Sequence, residues 1–276
     1  MIKNAQSLMD KCRNVANQNQ ININEVLQNY MFESILERLS KSKYKENFII
    51  KGGILLSSIM GINIRTTMDM DTTIVGIKMD KEELKKILSD ILEIDNGDGI
   101  SYKIVGVENI KDEDLYGGFR YKIESSLENI KVNLSIDIAT GDKITPKAIE
   151  YKYKCLFEDR YLDLISYNLE TILAEKFNSV ISIGVVNSRM KDYYDIYYLM
   201  NFKKDEINKN VLKQAIINTF EYQKTDIAKI NEVFDKIKNS ERLKEQWKIY
   251  SKKHKYSENL DFEETIASIN KLVQLF

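Results

Sequence analysis

The stretch "KGGILLSSIMGINIRTTMDMDTTIVG", residues 51–76, carries two aspartates one residue apart, Asp69 and Asp71, alternating with Met68, Met70 and Thr72. On a β-strand that alternation sends both carboxylates off the same face. Like charges at that distance repel unless something cationic stands between them. The pair is therefore either a wet strand edge or a site for a divalent metal. Upstream, Gly52 and Gly53 sit where a β-run gives way to the apolar, helix-like "ILLSSIMG". Glycines at a strand-to-helix turn let the backbone approach phosphate oxygens, and the helix N-terminus offers unpaired N–H groups to them. A double glycine alone is equally a tight turn. Arg65, Thr66 and Thr67 add a forked cation and two hydroxyls just before the aspartates.

Three more groups extend this chemistry. Asp137 lies in "VNLSIDIAT" between Ile136 and Ile138, so it is a strand acid in need of a partner. A metal shared with Asp69 and Asp71 would be one partner; an exposed edge strand is the alternative. In "LETILAEKFNSV", Lys176 stands beside a helical stripe of Ile172, Leu173, Phe177 and Val180, displaced enough to reach a cleft. Its compact ammonium suits a pyrophosphate or a transferred phosphoryl group. In "SRMKDYYDIYYL", Arg189, Lys191, Asp192 and Asp195 fall within two helical turns, with Asp192 and Asp195 on one face.

The surrounding pattern supplies elements to position these groups. Residues 24–45 have helical spacing, as does "DKEELKKILSDILE" with Asp80 as its N-cap. Short β-type runs follow one another: "FIIKGG", "DMDTTIVGI", "SYKIVGVENI", "FRYKIESSL" and "IKVNLSIDIAT". After the single proline, Pro146, strand signals largely stop and helical spacing takes over. The expectation is an α+β protein: a mixed α/β domain over residues 1–150 with N-terminal helices, then a mostly helical domain over 151–276.

Composition bounds the function. A formal net charge of −1 advertises neither nucleic acid nor membrane. Two cysteines make no disulfide or metal framework, and the polar N-terminus lacks a signal-peptide core. No apolar run approaches the ~18 residues a membrane span needs, so a cytoplasmic protein is expected. The one basic concentration is residues 238–255, with seven Lys and Arg against two Glu, interleaved with Trp247 and Tyr250. That is either a nucleic-acid surface or a solvated helix face with its aromatics turned inward. The lone histidine, His254, lies there and reads as a surface residue.

Gly-Gly, a spacer, Asp-x-Asp and a later strand aspartate resemble the nucleotidyltransferase superfamily related to DNA polymerase β. More narrowly, "KGG…L…R.T.DMD", "IDIATGD", "LETILAEKFNSV" and "SRMKDYYDIYYL", in that order, resemble the AbiEii/AbiGii toxin family of nucleotidyltransferases. The superfamily's usual Gly-Ser is Gly-Gly here. The resemblance implies a nucleotidyltransferase-fold mixed sheet with flanking helices and a helical C-terminal portion. It also implies Asp69, Asp71, Asp137, Lys176 and Asp192 as catalytic residues. The first three would hold one or two Mg²⁺ ions. Gly52, Gly53, Arg65, Thr66, Thr67, Lys176, Arg189 and Lys191 would contact the NTP. The implied reaction is in-line transfer of a nucleoside monophosphate to an RNA acceptor, with tRNA 3′ ends the family's precedent. The implied setting is a toxin–antitoxin or abortive-infection system with a cognate antitoxin encoded nearby. The competing reading is a catalytically weak nucleotide- or partner-binding protein that keeps the fold. A metal-dependent phosphohydrolase would normally show His-Asp combinations, which a chain with one histidine does not supply.

Overall fold

The structure is a computed structural model that describes residues 2, 4–110 and 117–276. The chain divides into two compact units, one of residues up to Gly141 together with Ile149–Ser166, the other of Asp142–Ala148 together with Tyr167–Phe276.

The first unit is built on one seven-stranded sheet. Two helices, α1 (Ala5–Asn19) and α2 (Ile23–Lys41), precede β1 (Phe48–Lys51), α3 (Gly52–Met60), β2 (Met70–Ile74) and α4 (Lys81–Leu92). Then come β3 (Ser101–Ile110), β4 (Gly118–Leu127), β5 (Ile130–Thr140), β6 (Ile149–Lys154) and β7 (Tyr161–Ser166). The spatial order is β3-β4-β5-β2-β1-β7-β6, with β2/β5 and β1/β7 parallel and the other pairs antiparallel.

Period-2 alternation gives the central strands two unlike faces. Leu134, Ile136 and Ile138 of β5 and Tyr121 and Ile123 of β4 are buried, while Asp137 and Arg120 occupy the opposite parity. The buried face is covered in part by α4, whose Leu84, Ile87, Leu88 and Ile91 repeat at helical spacing. Asp80 caps that helix as its sequence predicts, accepting from the backbone of Glu82 and Glu83. Helix α2 is buried almost throughout, including Arg38, which forks onto Asp98 at 2.8 and 2.9 Å.

The hairpin β6–β7 lies after Pro146, where strand signals largely stop in the sequence, and it extends the sheet beyond β1. Tyr153, Leu162 and Leu164 are its buried positions. Its alternation is masked by the charged partners Lys152, Lys154 and Asp163, which keep the edge in solvent.

The second unit is helical: α5 (Leu169–Ile183), α6 (Met190–Phe202), α7 (Lys209–Tyr222), α8 (Ile230–Lys238), α9 (Glu241–Lys253) and α10 (Phe262–Val273). Helix α5 begins at the N-cap Asn168 and ends at Gly184, whose φ of 62° few side chains would tolerate. Phe177 of α5 meets Phe220 of α7, and Tyr193 of α6 meets Phe262 of α10. Segment 142–148 belongs to this unit because its polar groups are satisfied there. The Asn168 amide donates to the Thr145 and Lys147 carbonyls, and Tyr167 Oη donates to Asp142 Oδ2 at 2.6 Å. Among the described residues no helix is long and apolar enough to cross a membrane.

Candidate active site

In the α/β unit, strand register does the positioning. Lys51 of β1 pairs with Asp71 of β2, Asp71 with Asp137 of β5, and Asp137 with Arg120 of β4. Directly paired residues project to the same side of a sheet. Four adjacent strands thus carry a row of two aspartates between two cationic residues: lysine, aspartate, aspartate, arginine. Asp69 lies in the loop just ahead of β2, outside the paired strand, so the strand alternation expected to align it with Asp71 does not extend to it.

The glycines act at the start of α3. Gly52 has φ 61°, and a Cβ there would stand 2.0 Å from Asp71 Oδ2, so only glycine allows the carboxylate this close. The Gly53 N–H donates to that same oxygen at 3.3 Å. A Cβ on Gly53 would in turn meet Thr67 Oγ1 at 2.3 Å. Lys51, the N-cap, makes no side-chain cap bond, so Asp71 serves the exposed helix end, where an anion is favoured.

The loop before β2 is held from within. Thr67 Oγ1 donates to the Asp69 carbonyl at 2.9 Å, and α2 reaches across with Gln28 to the Met68 carbonyl at 2.8 Å. Arg65 is buried, its guanidinium on the Thr66 carbonyl. In this conformation Arg65 and Thr67 therefore organise the loop that carries the aspartates. Thr66 takes part through its carbonyl.

Arg120 was not a candidate from sequence. It grips Asp137 with both prongs, Nε to Oδ1 at 2.7 Å and Nη2 to Oδ2 at 2.6 Å. The pair is half open, with side chains 41% and 15% exposed. Asp137, and beyond it Asp69 and Asp71, raise the arginine's pKa above its ordinary value. A signal was available: "GFRYKI" places Arg120 on the opposite parity to the buried Tyr121 and Ile123. What sequence did not reveal was which strand would lie beside it.

Among the described residues, no three His, Cys, Asp or Glu side chains are grouped so as to hold a metal ion. The donor set nevertheless suits a hard divalent cation, because it is carboxylate oxygen throughout. Asp69 and Asp71 fit that role. Asp137, as it stands, has both oxygens on Arg120.

The helical unit holds a second cluster. Lys176 Nζ lies 2.6 Å from Asp192 Oδ1 and 3.0 Å from Asp195 Oδ2. Ser179 Oγ donates to Asp192 Oδ2 at 3.0 Å, and Arg189 Nε approaches the same oxygen at 3.0 Å. Both aspartates are fully buried and Lys176 is 12% exposed. Burial would push the Asp192 carboxyl up, but the Lys176 and Arg189 charges and the hydrogen bonds from Lys176 and Ser179 hold it below the usual range. The sequence singles out Lys176, Asp192 and Arg189, and the structure brings them together. Asp195, on the same helix face as Asp192, shares the lysine. Lys191 is exposed on α6.

Two motif residues bear on the buried Tyr167: its hydroxyl donates to Asp142 Oδ2, and burial with the Glu175 and Asp142 charges holds its pKa well above the ordinary value. In the basic segment, Trp247 is buried with Nε1 on the Leu260 carbonyl at 2.8 Å, and Lys244 pairs with Glu241. Trp247 is thus a core residue and not a stacking platform.

Comparison with known proteins bears on the fold and the family. The chain is 17% identical to JHP933 from Helicobacter pylori, with a TM-score of 0.51 over 91% of this chain and 90% of that one. An antigenic nucleotidyltransferase-like protein from Paracoccidioides brasiliensis is 16% identical, with a TM-score of 0.39 over 73% and 92%. No curated protein matches the chain. Residues 34–268 match the model of the nucleotidyl transferase AbiEii toxins of type IV toxin–antitoxin systems, and the chain belongs to that family of transferases.

Proposed function

We propose that the protein transfers a nucleoside monophosphate from an NTP to an RNA acceptor, the 3′ end of tRNA, by an Mg²⁺-dependent in-line displacement. The observation that carries this reading is the Asp69/Asp71 pair set against the glycine-opened start of α3. A triphosphate and a divalent ion want those two features side by side: backbone N–H groups for phosphate oxygens, and hard carboxylates for the ion.

Asp69 and Asp71 would hold the ion, with Asp137 the third ligand in reserve. When bound, the ion neutralises phosphate charge and stabilises the attacking and leaving oxygens. The protein's own groups supply the rest. Gly52 and Gly53 leave room for Asp71 to close on the start of α3, and the loop of residues 65–69 leads the chain into the aspartates. Asp137 is the carboxylate suited to accept the acceptor hydroxyl's proton. Within the helical unit, Lys176 is a compact cation whose direction is set by Asp192 and Asp195, of the kind suited to a phosphate group. The family's type IV toxin–antitoxin setting supports growth arrest as the outcome, an antitoxin as the genetic partner and the cytoplasm as the place of action.

The test is incubation with each labelled NTP, Mg²⁺ and total bacterial RNA. Label entering one tRNA-sized species with one NTP is the expected result. Label in protein, or in no macromolecule under any NTP, would overturn the RNA assignment.

A further inference from the structure

The grip of Arg120 on Asp137 bears on how the ion binds. Asp71 and Asp137 stand side by side in register, Asp69 lies just before the strand of Asp71, and the cation shown on any of the three is Arg120, on Asp137. A bidentate guanidinium–carboxylate bond is among the stronger polar contacts available to a protein. It consumes both oxygens of the one carboxylate that would otherwise join Asp69 and Asp71. Its own surroundings make it separable: Arg120 is 41% exposed, on an outward-facing strand position, with Nη1 making no hydrogen bond among the described residues. An ion pair of this kind, near solvent, can be exchanged without stranding a buried charge.

We propose that Arg120 is a positioning residue that serves as the site's resident cation. It holds Asp137 in the metal-free protein, competes with the divalent ion for that carboxylate, and so sets the ion's affinity. The inference rests on the reading of Asp69 and Asp71 as metal ligands. It goes further by assigning a function to a residue outside the motif set, and by making Asp137 a ligand that must first be released.

The experiment measures Mn²⁺ binding to the full chain without nucleotide, by calorimetry and by the electron paramagnetic resonance signal of free Mn²⁺. Arg120→Met should bind Mn²⁺ about tenfold more tightly than wild type, a coupling of ordinary size between two ligands of one group. Arg120→Lys keeps the charge but loses the fork, so it should fall between them; it also carries the test if the methionine variant folds poorly. Lys122→Met is the control. Lys122 shares the face of Arg120 but pairs with Glu108, so its loss removes a nearby charge without freeing Asp137, and Mn²⁺ affinity should stay within about twofold, since exposed charges are screened. Equal affinity in wild type, Arg120→Met and Arg120→Lys would overturn the proposal, as would a tenfold gain in Lys122→Met. Asp71→Asn separates the two levels. If it abolishes Mn²⁺ binding while the Arg120 variants change nothing, the resident-cation idea alone fails. If it binds as wild type does, or if no variant binds Mn²⁺, the metal-site reading falls as well.

Discussion

The two clusters of opposite charge obey different rules of burial. On the sheet, Arg120 and Asp137 meet half in solvent, on strands whose other faces form the core. In the helical unit, Lys176, Asp192 and Asp195 meet with both acids fully buried. Near water, breaking a pair costs little because each partner is rehydrated. In the interior, removing one partner leaves a charge that nothing solvates. The sheet pair is therefore open to exchange at little cost, whereas disturbing the helical cluster is costly to its unit's stability. Activity lost by mutation therefore means different things in the two places.

The largest effect should come from the sheet. Asp71→Asn, nearly isosteric, removes a metal ligand and should reduce transfer at least about 10³-fold. Thermal stability should stay within a few degrees, since one repelling carboxylate is lost. Growth arrest on expression should disappear at equal protein abundance. Near wild-type transfer at saturating Mg²⁺ would remove Asp71 from the site.

Lys176→Ala should be different in kind. It too should abolish growth arrest, but it leaves two buried carboxylates with Arg189 as the remaining cation at Asp192. The expected cost is about 3 kcal/mol, or roughly 10–15 °C in melting temperature for a unit of this size. Lys176→Ala combined with Asp195→Asn should recover much of that stability and none of the transfer. Recovery of both would make the lysine a structural residue; recovery of neither would mean that Asp195 has a role beyond pairing.

Buried acids also differ by whether a cation reaches them. Burial pushes the Glu33 carboxyl up to about 7 despite the Leu156 N–H and the Arg160 charge that pull it down. Its folded pKa lies above the ordinary 4.5, so its contribution to stability is full below about pH 4.5 and is lost as pH rises towards 7. Glu33→Gln keeps an acceptor for Leu156 and cannot ionise. Relative to that variant, wild type should lose on the order of 2–3 kcal/mol between pH 4.5 and 8. Asp192 has the opposite sign: its folded pKa is depressed, so its stabilisation is present above the ordinary carboxylate pKa and lost only as pH falls below it. A Glu33→Gln variant whose melting temperature tracks wild type at every pH would show that Glu33 is not held in its neutral form.

How much was legible in sequence follows from what each feature depends on. The alternation of "IKVNLSIDIAT" and the capped repeat of "DKEELKKILSDILE" are local, and β5 and α4 appear where their patterns put them. Asp69, Asp71 and Lys176 carry motif spacing and were visible for that reason. Arg120 was not, because its partner lies 17 residues away on another strand and its importance comes from register. The β6–β7 hairpin was missed for a related reason: Tyr151 and Tyr153 alternate with lysines, but an edge strand need bury few residues, so its apolar signal is thin.

The smallest effect is expected on α9, where cations stand without buried acids behind them. Lys244, Lys248 and Lys252 recur every four residues and line one helix face. The aromatic that would have made this face a nucleic-acid platform, Trp247, is instead part of the core, and Lys244 is engaged by Glu241. Replacing the three lysines with Gln should leave stability within about 1 kcal/mol, since exposed pairs contribute little. RNA affinity and its dependence on salt should also be unchanged. A phosphate contact from any of them would lower the log–log salt slope by roughly 0.7–0.9 per lysine. A fall of that size in the triple variant, with Mn²⁺ affinity unaltered, would make α9 an RNA-contacting surface after all; an unchanged slope would direct the search for RNA contacts to Arg189 and Lys191.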